Sequence, residues 1–275
     1  MNREKSSYSE LISNNRDVHN SVSNRYDRVH SEIFNNIEQE RIVERLRSIL
    51  SAFGNSQLTA LDFGCGSGNI TGHLVALGFD VTSADISAKF LEIIKERYGK
   101  AGNCKTEILS GDIDNDLIGQ RYDLICIYSV LHHIPDYVSV LRGLSSRLNP
   151  GGYLYIDHEA SEAYWHSDPA YAMLQKACKW RRVVQKFPSV FSLKWIIGKI
   201  RRIHDPRFQP EGDIHVWPDD HVEWPLIRSE LEQLQLQEVF SQDYLSYQNY
   251  YGPELFDRYR TQVSDMHCSV FQKIS

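Results

Sequence analysis

The segment Leu61-Asp62-Phe63-Gly64-Cys65-Gly66-Ser67-Gly68-Asn69 carries the most chemical content per residue in this chain. Glycines at 64, 66 and 68 permit a tight turn at positive φ and let backbone approach a ligand closely. If a helix opens just after them, its first N–H groups have no partner inside the helix and face the same turn. Asp62 stands two residues ahead of the first glycine. A carboxylate there would repel a diphosphate and would suit a positively charged ligand.

Spacing points the same way. Loops that seat the diphosphate of a dinucleotide run G-x-G-x-x-G. Here the third glycine comes one residue early and Asn69 fills the later slot.

The elements that must position this loop alternate strand and helix. Leu58 to Phe63, Phe79 to Asp85, Thr106 to Ser110, Tyr122 to Tyr128 and Tyr153 to Asp157 read as strands. Ile70, Leu74, Val75 and Leu77 form a helical stripe, as do Phe90, Ile94 and Tyr98, and then Tyr137, Leu141, Leu144 and Leu148. Asn149-Pro150-Gly151-Gly152 reads as the turn into the fifth strand. Such alternation predicts an α/β fold: a doubly wound, mostly parallel seven-stranded sheet with helices on both faces. Two late strands, Leu236 to Phe240 and one near His267 to Ile274, complete the seven. Ligands in such sheets sit at the carboxyl ends of the strands, near the point where strand order reverses.

Four regions follow. Residues 1–53 are a polar arm and a helix with Ile33, Phe34, Ile37, Ile42, Val43, Leu46, Ile49 and Leu50, ended by Gly54. Residues 54–159 are the cofactor-binding core. Residues 160–222 break the rhythm and are expected to form a helical lid or substrate insertion. Residues 223–275 complete the core, with a helix at Leu226, Ile227, Leu231 and Leu234.

On these residues the chain resembles the class I S-adenosylmethionine (SAM)-dependent methyltransferases, over roughly residues 58–159. The resemblance implies that Asp62, Phe63, Gly64, Cys65, Gly66 and Gly68 border the amino-acid and ribose parts of SAM. It implies that Asp85, beside Ile86, takes the ribose hydroxyls, which a carboxylate can accept together. By the same resemblance Asp112 lies near the adenine amino group and Ile113 on the ring, while backbone at Tyr128 and Ser129 meets the methionine part. An N-terminal helix often folds over the cofactor in that family, so Tyr26 is either its aromatic cover or a surface residue.

Methyl transfer from a sulfonium needs alignment above all, and a base only if the acceptor must lose a proton. Candidate bases are His158, which Asp157 or Glu159 could orient, His132 and His133 just past the fourth strand, a pair that also resembles a family sequence with structural use, and His215. For each, a structural histidine is the alternative. Asp213, His215, Asp219, Asp220, His221 and Glu223 look like metal ligands, but their spacing matches no metal motif. Asp219 and Asp220 fit better as caps of the helix that Trp224-Pro225-Leu226 begins, and no metal is expected.

Between Tyr171 and Arg207 ten bases stand against one acid, a net +9. The whole chain carries −6, so everything else carries −15. Trp180, Phe187, Phe191 and Trp195 are interleaved. The segment fits a lid helix whose lysines face water, or a surface that attracts an anion. An anionic small-molecule or lipid-linked acceptor is preferred, with peripheral membrane contact through 176–207; one basic insertion is too narrow for nucleic acid.

The composition frames these readings. Five cysteines without C-x-x-C suggest reduced thiols and a cytoplasmic location, without a zinc site. No apolar run reaches the roughly 20 residues of a membrane helix, and Met1 to Ser7 lacks a signal-peptide core. The expected function is methyl transfer from SAM to a small-molecule or lipid-linked acceptor. The alternatives are a non-catalytic cofactor-binding scaffold and, through Asp85 on a ribose, an NAD(P)-dependent oxidoreductase. Oligomeric state is not legible.

Overall fold

The computed structural model describes residue 16 and residues 32–54, 56–166, 168–190 and 222–274, with backbone alone for 182–190. Tyr26, the run Phe191 to Ile200, and the residues from Asp213 to His221 lie outside the described residues.

Asn35 caps α1 (Asn36–Ser51), its side chain accepting the N–H of Glu38 at 3.0 Å. Ile42, Leu46 and Ile49 recur at helical spacing and are buried. The helix ends at Ala52, two residues before Gly54. After it come β1 (Thr59–Phe63), α2 (Asn69–Ala76), β2 (Asp80–Asp85), α3 (Ala88–Tyr98) and β3 (Cys104–Ile108). The chain continues through α4 (Ile113–Asp116), β4 (Tyr122–Tyr128), α5 (Tyr137–Ser146) and β5 (Leu148–Ala160). The insertion opens with α6 (Glu162–Trp165) and α7 (Pro169–Val190). Last come α8 (Trp224–Gln233), β6 (Leu236–Tyr244), α9 (Gly252–Tyr259) and β7 (Met266–Lys273).

The seven strands lie in the order β3-β2-β1-β4-β5-β7-β6. β1 to β5 pair in parallel, and β7 runs antiparallel between β5 and β6. This is the doubly wound, mostly parallel α/β sheet that the alternation predicts. Strand order reverses between β1 and β4, which places the crevice there.

Alternate strand residues feed two cores, because successive side chains point to opposite faces. Ala60, Leu124, Cys126, Tyr153 and Tyr155 pack with α1 and α2. Leu61, Ile125, Ile127, Leu154 and Ile156 pack with α5 and α8.

Three elements differ from the sequence reading. The Asn-Pro-Gly-Gly run is not a turn but part of β5, whose register to β4 shifts between Tyr122 and Leu124. A Cβ on Gly152 would sit 2.9 Å from the carbonyl oxygens of Asn149 and Asp123, so the glycine lets two backbones close there. β6 runs on to Tyr244 because β7 pairs along its whole length. The start of α8 has Glu223 as its flanking residue and Pro225 in its first turn, with no side-chain cap.

The first part of the insertion is helical. Leu174 and Cys178 of α7 pack against Leu245, Tyr251 and Phe256, and Arg181 donates to the carbonyl of Tyr251 at 2.7 Å. No helix among the described residues is long and apolar enough to cross a membrane.

Candidate active site

The loop after β1 turns on positive φ at all three glycines: 70° at Gly64, 49° at Gly66 and 97° at Gly68. At Gly64 sterics add to the demand, since a Cβ would lie 2.5 Å from Val130. The N–H groups of Gly64 and Cys65 are satisfied by the carbonyl of Ala84, at 2.8 and 3.0 Å. The loop is therefore held to the end of β2.

Two buried carboxylates face this loop. Asp62 is 2 % exposed and accepts the Thr71 hydroxyl at 2.6 Å; Thr71 in turn contacts Ser83. Burial pushes its carboxyl up to about 7, against the Thr71 hydrogen bonds and with help from the Asp85 charge. Asp85 accepts the N–H of Gly66 at 2.9 Å on one oxygen and that of Ser87 at 2.8 Å on the other. Burial raises it to about 6, less than Asp62 because backbone donors oppose the shift. Each Asp85 oxygen keeps a second lone pair for a ligand hydroxyl.

These groups open into a crevice across the switch point. Asp62, Phe63, Gly64, Cys65, Gly66, Asp85, Ile86, Ile113, Tyr128, Ser129 and His133 all line it. Its described lining contains no lysine or arginine. Ser129 holds a φ of 57°, a left-handed conformation uncommon for a side-chain-bearing residue, and its N–H donates to the carbonyl of Asp157 at 2.9 Å.

Other expected residues lie elsewhere. Gly68 stands behind the wall as the left-handed residue before α2, where a Cβ would strike Ile94. Asp112 is exposed and caps α4, its carboxylate taken by the N–H and side chain of Asn115 at 3.2 and 2.6 Å. The wall there is built by Gly111 and Ile113. Tyr26 lies outside the described residues.

His158 does not line the crevice, and neither neighbouring acid orients its ring. A register shift in the β5–β7 pairing between Asp157 and Glu159 leaves His158 unpaired, at a φ of 59°. Such a bulge turns Asp157 and His158 toward α1 and sends Glu159 the other way. The His158 ring stacks on Tyr128 at 5.1 Å, and Nδ1 meets the Tyr244 hydroxyl at 3.0 Å and Glu38 at 3.4 Å. Burial opposes its charged form, yet the hydrogen bond and charge of Glu38 outweigh burial and raise the histidine above its ordinary value.

The sequence reading missed what surrounds it. Arg41 of α1 donates to Asp157 at 2.8 Å and to Tyr244 at 2.9 Å, and pairs with Glu38. Tyr155 donates to Asp157, and the Tyr128 hydroxyl donates to Glu38 at 2.8 Å. Burial would raise Glu38, but His158 and Arg41 hold it well below the usual carboxylate range. This cluster fixes α1 behind Tyr128, a wall of the crevice. Ile33 and Phe34, just before α1, also line the crevice. They read as part of a helical stripe in the sequence; Asn35, a capping type, was the signal that the helix begins after them.

A class is now defined: a glycine loop after β1, an acid ending β2, a crevice at the β1/β4 switch point, and β7 antiparallel in a seven-stranded sheet. It is the class I methyltransferase fold. A family model for the methyltransferase domain matches residues 61–154. Ubiquinone biosynthesis O-methyltransferase of Bordetella avium is 31 % identical over 97 residues, 34 % of this chain and 40 % of that protein. The protein of the same name from Rickettsia felis is 30 % identical over 122 residues, 44 % and 49 % of the two chains. The chain thus spans two fifths to one half of the length of these curated relatives. Magnesium protoporphyrin IX methyltransferase of Synechocystis PCC 6803, solved with bound SAM, matches with a TM-score of 0.57 over 99 % of this chain and all of that one, at 14 % identity. The N-methyltransferase NodS of Bradyrhizobium japonicum matches at 0.53, covering 88 % and 99 %, at 16 % identity. Residues 61–154 thus match a methyltransferase-domain family model, and the chain shares the fold of these methyltransferase structures.

Proposed function

We propose that this chain transfers the methyl group of SAM to a small-molecule acceptor. The crevice carries the reading: two buried carboxylates and no described lysine or arginine suit a sulfonium with its ammonium group and oppose a dinucleotide diphosphate. Asp62 faces the cationic methionine end. The spare lone pairs of Asp85 take ribose hydroxyls. Ile86 and Ile113 flank the adenine, backbone at Gly64 to Gly66 approaches the ribose, and Tyr128 and Ser129 border the methionine part. Asp112 stays outside this set because it is exposed and does not line the crevice. Tyr26 is proposed as an aromatic cover. SAM supplies a methyl group activated by positive sulfur; the protein aligns the reactants and excludes water.

The acceptor is proposed to be anionic or lipid-linked and held beneath residues 160–222. Support comes from the +9 segment and from α7, where Met173 and Trp180 are 59 % and 76 % exposed on the side bearing exposed Lys176. Such a face suits an anionic interface, which would place a cytoplasmic protein at a membrane surface. The names of the curated relatives support oxygen as the methylated atom.

Calorimetry tests the core reading: SAM and S-adenosylhomocysteine bind, and NAD does not. Tight NAD binding without SAM binding reverses it. Flotation with anionic and neutral vesicles tests the membrane contact; equal, weak recovery from both removes it.

A further inference from the structure

The methionine end of SAM carries a sulfonium, an ammonium and a carboxylate. The crevice has acids for the cations and no described lysine or arginine for the anion. Two polar atoms on either side of Gly68 fill that gap. Nδ2 of Asn69 and Oγ of Ser67 are shut off from solvent and have no partner among the described residues. Both residues line the crevice, and Ser67 is 2 % exposed. Between them Gly68 precedes α2 and offers it no side-chain cap, so the first N–H groups of that helix add to the same place. Unmet buried donors are costly, and a helix N-terminus favours an anion.

The direction of the Asn69 amide is set from α1. Nε2 of Gln39 lies 3.0 Å from the carbonyl oxygen of Ile33 and 2.8 Å from Oδ1 of Asn69. A carbonyl only accepts, so the atom of Gln39 that faces it must be the nitrogen. That nitrogen also faces Asn69, whose near atom must then be the oxygen. The Asn69 NH2 is thereby turned away from Gln39 as an unmet donor. His73 of α2 locks the other end of the glutamine: Oε1 lies 2.8 Å from Nε2 of His73, which has to donate. Ile33 itself lines the crevice, so one glutamine holds two pieces of its wall. Thr71, two residues further along α2, donates to Asp62 at 2.6 Å. The donors thus stand on the Asp62 side of the crevice, next to the acid that faces the ammonium.

We propose that Asn69, with Ser67, binds the carboxylate of the methionine end, and that Gln39 is the positioning residue of Asn69; this rests on the methyl-transfer reading above. Asn69 donates through Nδ2 and Ser67 through its hydroxyl. Neutral donors suit this place, because an arginine beside Asp62 would neutralise the charge that the ammonium needs. The subsite makes the chain selective for ligands that keep their carboxylate.

Calorimetry of the full chain with S-adenosylhomocysteine and with its decarboxylated form, which keeps the amine, isolates this contact. The native protein should bind S-adenosylhomocysteine roughly 10- to 100-fold tighter, as expected for hydrogen bonds to a charged group. Asn69→Ala should remove most of that preference by weakening S-adenosylhomocysteine alone. The decarboxylated form should stay within about threefold of its native affinity, which shows that the crevice is intact. Gln39→Met should cut the preference severalfold through lost orientation, with Asn69 itself unchanged. A native preference under about threefold, or Asn69→Ala shifting both ligands alike, overturns the assignment. A native chain that binds neither ligand strikes the methyl-transfer reading, and the subsite falls with it.

Discussion

Two groups of buried acids lie at the carboxyl ends of one sheet, and the fold treats them oppositely. Glu38 and Asp157 face Arg41 and are wrapped by tyrosine hydroxyls. Asp62 and Asp85 have only hydroxyl and backbone donors, and burial lifts them to about 7 and about 6. The first group is a structural tie between α1 and the sheet. The second carries an uncompensated burial cost that a cationic ligand would relieve. Asp62 and Asp85 thus differ from the first group in facing the crevice without an internal counter-charge.

The comparison breaks most visibly at Arg41. Arg41→Met should cost about 3–5 kcal/mol, because Glu38 and Asp157 lose their cation while staying buried. Urea denaturation measures this, and a loss under about 1 kcal/mol would erase the distinction between the groups. Next, Asp62→Ala should weaken SAM binding by roughly 10- to 100-fold, as expected for one charge contact of 1.4–2.7 kcal/mol. Calorimetry showing unchanged affinity would remove Asp62 from the site.

A third test sets function against stability. Burial holds the Asp62 carboxyl at about 7, above the ordinary value of 3.8, so the folded state favours the protonated form. Its unfavourable contribution is absent below about pH 4, grows as pH rises, and is complete above about pH 7. Asp62→Asn should therefore stabilise the protein by about 1–3 kcal/mol at pH 8, with the gain vanishing near pH 4, while SAM binding falls. A variant less stable than the native protein at pH 8 would contradict this. By the same sign, native SAM affinity should rise severalfold between pH 5.5 and 8 as Asp62 and Asp85 ionise; a flat calorimetric profile would count against both. The smallest effect is at Gly66, where φ is 49° and a Cβ meets nothing. Gly66→Ala should cost about 1 kcal/mol from backbone strain alone, read as a shift in thermal midpoint.

The strand–helix alternation and the crevice-facing residues after β1 and β2 were legible because local periodicity and glycine spacing write them directly. What escaped depends on pairings distant in sequence. Alternation along Asp157-His158-Glu159 puts both acids on one face of a strand, flanking the histidine. The bulge in the β5–β7 pairing reverses that, and no residue type in the segment announces it. Nothing local marks Glu38 and Arg41, since their partners lie on β4, β5 and β6. At Asp112 the sequence does not show that the residue caps α4 and lies off the crevice lining, because a capping aspartate and a ligand-binding one look alike in sequence.

Arg41 joins positions separated by 116 and 203 residues in the chain. A polypeptide emerging from the ribosome can form β1 to β4 early, yet it cannot finish anchoring α1 until Tyr244 has been synthesised. Until then two acids and a cation must wait in water, and the back of the crevice stays unset. The tie behind Tyr128 thus closes only after the last strands have been made, a long-range contact that forms late.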